Sequence, residues 1–377
     1  MKAFDDLYLE IEQEAKKDNS KKFFIDIVRG KERPVVLYGA GGNCEFAMST
    51  CFGCNILVDA VCDSKATGIY SYKEKFYEII SPEQLLENYR NAFVLITSWN
   101  YEQEIYNFLC TLGFPNEQIC FFRSPYMISS AIFRKKYLEG YRWAYNFFTD
   151  ERSKKNIINR VREMILGLPC PADSLYKDGY FGFPDIKLQN GEVYVDGGAY
   201  IGDSAEEFIQ DMKNAEKQYK HIYSFEPDSE NFTKARKRLS LYSDITIIPK
   251  GLWSSEKELS FQSQQENGGG GASHITEKES ENTVYIPVTA IDTIFSGQPE
   301  DMLPTIIKMD IEGAEREALI GAAGVIQKKK PQLIICAYHK PEDIYELVQT
   351  IINIREDYDF TLWKIGEGFY DLVLYAI

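Results

Sequence analysis

Histidine is nearly missing from this chain. Three occur in 377 residues, at 221, 274 and 339. Cys51-Phe52-Gly53-Cys54 is a C-x-x-C, but a zinc site needs further ligands at matching spacing. No resident metal is therefore expected. Positive charge is also short: 42 Lys and Arg stand against 57 Asp and Glu, a net charge of −15. Such a chain repels nucleic-acid backbones and anionic lipid, so neither nucleic acid nor a membrane is expected as a partner. Long apolar runs are absent too, since none approaches the ~18 residues of a membrane helix. The start, Met1-Lys2-Ala3-Phe4-Asp5-Asp6, carries early acids and no apolar signal core, which argues against secretion. The eight cysteines (44, 51, 54, 62, 110, 120, 170 and 336) are scattered and mostly lie in apolar context. Small buried thiols of that kind fit a reducing, cytoplasmic setting.

What is present is a globular composition, 44% hydrophobic and 14% aromatic, on a chain long enough for two domains. Residues 3–29 carry two apolar stripes, Phe4, Leu7, Tyr8, Ile11 and Phe23, Phe24, Ile27, and are expected to be packing helices. Residues 34–123 alternate strands and helices. Pro34–Tyr38 runs into the turn Gly39-Ala40-Gly41-Gly42-Asn43, and Leu57–Cys62 ends at Asp63. Ser81-Pro82 opens a helix with an N-cap and a first-turn proline. The small Rossmann-like domain beside sugar-modifying transferases is similar. Gly39, Gly41 and Asp63 leave open a nucleotide or nucleotide-sugar site, or a bare scaffold. An NAD-linked oxidoreductase would want a full G-x-G-x-x-G, and Cys44 stands where the third glycine belongs. Residues 124–178 are helical and basic, and read as a connector with a solvated face.

The pattern sharpens after residue 179. Val193-Tyr194-Val195 leads into Asp196-Gly197-Gly198-Ala199-Tyr200-Ile201-Gly202, and Ala205, Phe208, Ile209 and Met212 then fall on one helix face. This is strand, glycine turn, helix. The glycines let backbone approach a ligand closely, and the helix start offers free N–H groups. An acid at the strand end would repel a pyrophosphate and suits a sulfonium or amine, as in S-adenosylmethionine. The next strand, Ile222–Phe225, ends at Glu226-Pro227, where a ribose diol would be held. A third strand, Ile245–Ile248, runs on to Gly251 and Leu252. Leu259–Phe261 and Thr283–Ile286 alternate and are expected to form an added hairpin. Between them Gly268–Gly271 and His274 make a loop that closes over substrate or is merely slack. Strands then end at Asp310, followed by Glu312 and Glu315, and at His339-Lys340. Two more close the chain.

Four pieces carry a family resemblance in order: Val195–Gly202, Phe225-Glu226-Pro227, Ala290-Ile291-Asp292 and Ile307–Glu315. Together they resemble the FkbM family of S-adenosylmethionine-dependent methyltransferases. The resemblance implies an α/β fold with a seven-stranded Rossmann-like sheet whose last strand is antiparallel. It also implies O-methylation of a sugar, glycan or natural-product hydroxyl. The expected organisation is 1–123 (N-terminal helix and small Rossmann-like domain), 124–178 (helical connector) and 179–377 (methyltransferase domain). The expected cofactor residues are Asp196, Gly197, Gly198, Ala199, Gly202, Glu226, Pro227, Gly251 and Leu252. Asp310 and His339 are the candidate bases, His339 favoured because imidazole titrates near neutrality. Glu312, Lys340 and His274 are expected to touch the acceptor, a small molecule or glycan. A nucleotide-sugar sensor acting through the first domain stays open, as does a homo-oligomer.

Overall fold

A computed structural model describes residues 2–17, 33–53, 56–73, 75–98, 101–122, 128–167, 173, 179–262, 274–275, 284–366 and 371–377. The stripe Phe23, Phe24, Ile27, the second cysteine of the C-x-x-C and the glycine run 268–271 lie outside them.

The first sheet holds β1 (Val35–Tyr38), β2 (Ala60–Cys62), β3 (Gly68–Tyr72), β4 (Lys75–Ile80), β5 (Phe93–Ile96) and β6 (Ile119–Phe121) in the order β3-β4-β2-β1-β5-β6. Its strands are parallel except for the β3–β4 hairpin. The central strands are apolar throughout because helices cover both faces, as a parallel sheet requires. Ser81 caps the helix Pro82–Asn88 in a complete capping box with Gln84, as the Ser-Pro pair suggested.

The second sheet begins with β7 (Glu192–Gly197), β8 (Tyr219–Phe225) and β9 (Ile245–Ile248). The chain then leaves it for a small four-stranded sheet: β10 (Gly251–Leu252), β11 (Lys257–Gln262), β12 (His274–Ile275) and β13 (Val284–Thr289). The expected hairpin is there, with Leu259 opposite Ile286. It returns with β14 (Ile306–Met309), β15 (Gln332–Cys336), β16 (Phe360–Lys364) and β17 (Leu372–Ala376). The seven-stranded order is β16-β17-β15-β14-β7-β8-β9, and β17 runs antiparallel to both neighbours. The strand order reverses between β7 and β14, the crevice where ligands settle in open α/β sheets.

The stretch expected to be a solvated connector is instead part of this core. Phe133, Tyr141, Ile157, Val161 and Met164 share one apolar cluster with Leu333 and Leu374 of the sheet. Phe4, Tyr8 and Ile11 of the helix Phe4–Lys17 join the same cluster. The misreading has a physical cause. On the helix Glu151–Leu166 polar residues are buried with partners: Ser153 Oγ accepts the Leu362 N–H, and Arg160 donates to Glu163 and the Tyr338 carbonyl. Composition alone marks such residues as exposed. No helix among the described residues is long and apolar enough to cross a membrane.

Candidate active site

At the end of β7 the chain must turn under the end of β14. A Cβ on Gly198 would stand 1.9 Å from the Asp310 carbonyl oxygen, and its φ is +75°, so only glycine fits. Gly198 and Ala199 both donate their N–H to the Phe225 carbonyl. Tyr200 follows with φ 47°, a left-handed conformation that costs energy in a residue with a side chain. Gly202, φ +85°, caps the helix Asp203–Asn214. Glu226 fastens the turn from the neighbouring strand: Oε2 accepts the Tyr200 N–H at 2.8 Å and Oε1 the Asp228 N–H at 2.9 Å.

A cavity of about 690 Å³ opens above these residues. Of the expected cofactor residues Gly198, Glu226, Pro227, Gly251 and Leu252 line it, and so do Asp310 and Glu312 on the acceptor side. Tyr180, Tyr200, Asn231, Lys308 and Asp371, none of them singled out from sequence, line it as well.

Asp196 lies outside that lining and is fully buried. Ser204 Oγ donates to both of its oxygens at 2.9 Å, and Lys308 Nζ stands 3.3 Å from Oδ1. Lys308 continues to the carbonyls of Gly197 and Gly198 at 3.3 and 3.0 Å. Burial pulls the Lys308 ammonium toward neutrality, but Asp196 and Asp310 outweigh that and keep it charged. The Asp196–Lys308 pair thus ties the turn to β14 from beneath. Gly197, Ala199 and Gly202 also act from below the cavity, Ala199 fully buried and Gly202 against Leu239 and Ala235. A lysine inside the apolar run Ile306-Ile307-Lys308-Met309 was the available signal for the pair, since a buried ammonium demands a partner.

On the opposite wall Tyr180 donates to Asp310 Oδ2 at 2.9 Å and Tyr338 to Oδ1 at 3.1 Å. Burial alone would raise Asp310; the charges of Lys308 and His339 and the two phenols overcome it and hold the carboxyl below its usual range. β15 ends at Cys336, so His339 sits on the connection beyond it, outside the cavity lining. Its Nε2 lies 3.4 Å from Asp310 and 3.3 Å from Glu312, and its Nδ1 2.9 Å from Glu315. Burial pushes the imidazole down, yet Glu315, Asp310 and Glu312 together raise it to about 10. Imidazole was favoured as a base for titrating near neutrality; among these carboxylates it is instead held as a cation. Burial raises Glu312 to about 7 against the charge of His339. Lys340 donates its ammonium to the Gly313 carbonyl and faces away from the lining. His274 pairs with Gln262 through its backbone, and its side chain lies outside what is described.

In the first domain Asp63 closes its own turn. Oδ2 accepts the Ala40 N–H at 2.8 Å, and Oδ1 accepts those of Lys65 and Ala66 at 2.8 and 2.9 Å. These bonds prevail over burial and lower its pKa.

The family model for the methyltransferase FkbM domain matches residues 196–362, from the β7 acid to β16. Residues 196–362 form an FkbM methyltransferase domain. A methyltransferase FkbM from Methylobacillus flagellatus KT is similar along 99% of both chains, at 20% identity and a TM-score of 0.69. The chain therefore shares its fold, first domain included, with that protein. An rRNA methylase from Streptococcus thermophilus matches at 11% identity and TM-score 0.31, over 50% of this chain and 86% of its own. Fibrillarin from Aeropyrum pernix, in complex with natively bound S-adenosyl-L-methionine, matches at 9% and 0.32, over 52% and 70%. Among curated proteins none matches the sequence.

Proposed function

We propose that this methyltransferase uses S-adenosylmethionine and methylates a hydroxyl of a sugar, glycan or natural product. One observation carries the reading. One cavity is lined by Gly198 and Tyr200 of the glycine turn, by Glu226, and by the carboxylates of Asp310 and Glu312. Glu226 accepts the ribose hydroxyls at the end of its strand. The acidic lining favours a sulfonium and a neutral polyol acceptor over an anionic one.

The methyl group moves in line from sulfur to the acceptor oxygen. The C–S bond breaks as the C–O bond forms, the sulfonium leaves as a neutral thioether, and the hydroxyl proton goes to a base. Most of the rate comes from alignment. Asp310 lines the cavity, and its two phenol donors fix its orientation, so it receives the acceptor hydroxyl. His339 stands behind it and acts through it rather than on substrate.

Calorimetry with S-adenosylmethionine and its demethylated product tests the cofactor, and transfer of a labelled methyl to a panel of hydroxylated glycans tests the acceptor. Asp310→Asn is expected to lower turnover about 10²-fold while product affinity holds, within the range for a lost general base. Failure of both ligands to bind the wild-type chain overturns the reading.

A further inference from the structure

Behind the acceptor wall lies a group of side chains outside the cavity lining. Glu315 opens the helix Glu315–Ile320, Asp343 opens the helix Asp343–Ile354, and His339 sits on the connection between β15 and that second helix. Glu315 is fully buried, Asp343 is 4% exposed, and the His339 side chain is 8% exposed. Each offers one ligand atom, and the three atoms lie within 4.8 Å of one another.

Two features separate this group from an ordinary acidic cluster. Neither ring nitrogen of His339 makes a hydrogen bond, although Nδ1 is 2.9 Å from Glu315 Oε1; the contact is close but off the line that a bond needs. Glu315 Oε2 is also buried without a partner. Polar atoms left so destabilise the fold, and a native interior seldom carries several together. His339 Nδ1 and Glu315 Oε1, 2.9 Å apart, can both reach one cation at the usual metal–ligand length of about 2.1 Å.

Charge agrees with geometry. Asp310, Glu312 and Glu315 all stand within 3.4 Å of the one imidazole, and Asp343 lies in the same group. The ammonium of Lys308 is committed to Asp196 and two carbonyls, and that of Lys340 to the Gly313 carbonyl. Buried anions in that number call for a further cation. The carboxylates are also oriented from behind: Glu315 Oε1 accepts the Ile311 N–H at 3.0 Å, and Asp343 Oδ2 accepts the Lys340 N–H at 2.6 Å. Metal ligands are commonly held in that way.

We propose that Glu315, His339 and Asp343 bind one divalent transition-metal cation, which displaces the imidazolium proton to solvent and joins the connection after β14 to the connection after β15. One imidazole and two carboxylates suit Zn²⁺ or Mn²⁺. The ion lies behind Asp310 and Glu312 and stiffens the wall that receives the acceptor. It takes no part in breaking the C–S bond.

The test uses the full-length, tag-free chain, stripped with a chelator and titrated with Zn²⁺ by calorimetry and with Mn²⁺ by electron paramagnetic resonance. One equivalent is expected to bind, and to raise the melting temperature. Glu315→Gln and Asp343→Asn are each expected to weaken binding at least about 10-fold, as loss of a ligand or its support does. Circular dichroism checks that the variants are folded. If neither metal binds the wild-type chain saturably at millimolar concentration, the proposal is wrong. It is equally wrong if both folded variants bind as the wild type does. No arm depends on methyl transfer, so the outcome stands apart from the proposed activity.

Discussion

The chain contains the same device twice: a strand, a glycine turn, a helix, and an acid at the end of the next strand. In the first domain these are Gly39–Gly42 and Asp63; in the second, Gly197–Gly202 and Glu226. Both acids fasten their turn by accepting backbone N–H groups. There the likeness ends. Asp63 spends its oxygens on three N–H donors and is held ionised. Glu226 takes two, lines a 690 Å³ cavity, and is raised to about 7 because burial wins over its hydrogen bonds. Turn two also rests on the buried Asp196–Lys308 pair. A glycine turn is thus a permission for ligand binding, and the residues beneath and opposite it decide whether the permission is used.

The largest expected effect lies beneath turn two. Lys308→Met keeps the length of the side chain but leaves Asp196 buried and without its countercharge. Breaking such a pair costs about 3–5 kcal/mol, and chemical denaturation should show a loss of that size. A loss under about 1 kcal/mol, the scale of an ordinary substitution, would mean that the pair does not hold the turn.

Much of this contrast is legible in sequence and part of it is not. Strand ends, glycines and helix faces are local, so β7, its turn and the following helix could be read directly. So could Glu226 and Asp310, because each terminates an apolar run. Lys308 could be seen as odd, but its partner lies 112 residues away. Tyr180 stands in no motif of its own, yet it donates its hydroxyl to Asp310, 130 residues away. The state of His339 depends on carboxylates brought by separate segments, which no local spacing reveals. The first turn stays open for the opposite reason: its local pattern is good, and nothing local says that Asp63 accepts three backbone N–H groups.

A middle-sized effect sharpens the difference between the two acids. Glu226 binds a diol best as a carboxylate, since only that form offers both oxygens as acceptors. With its pKa at about 7, affinity for S-adenosylmethionine should be full above neutrality and decline as pH falls through about 7. Glu226→Gln should cost about 1–3 kcal/mol of affinity above neutrality, as for a lost hydrogen bond to a charged group, and should flatten the pH profile. Asp63→Asn, by contrast, should leave that profile unchanged. Calorimetry across pH with the three proteins decides it; a Glu226→Gln profile that still falls at neutrality would place the titrating group elsewhere.

The smallest effect is expected at Gly41. A Cβ there meets nothing within 4 Å, whereas one on Gly198 would enter the Asp310 carbonyl. Gly41 also lacks the positive φ of Gly39, whose Cβ would press on Thr97 Oγ1 at 2.9 Å. Gly41→Val therefore meets no steric barrier, and its helix start faces open space. Stability should change by no more than about 0.5 kcal/mol, the usual range for a surface substitution, and S-adenosylmethionine affinity should be unaltered. Gly198→Ala carries only a methyl and should nonetheless abolish binding, because backbone must move to admit it. The pair of variants separates the two turns on one measurement. A collapse of cofactor affinity in a folded Gly41→Val chain would join the turns into one site and remove the distinction drawn between Asp63 and Glu226.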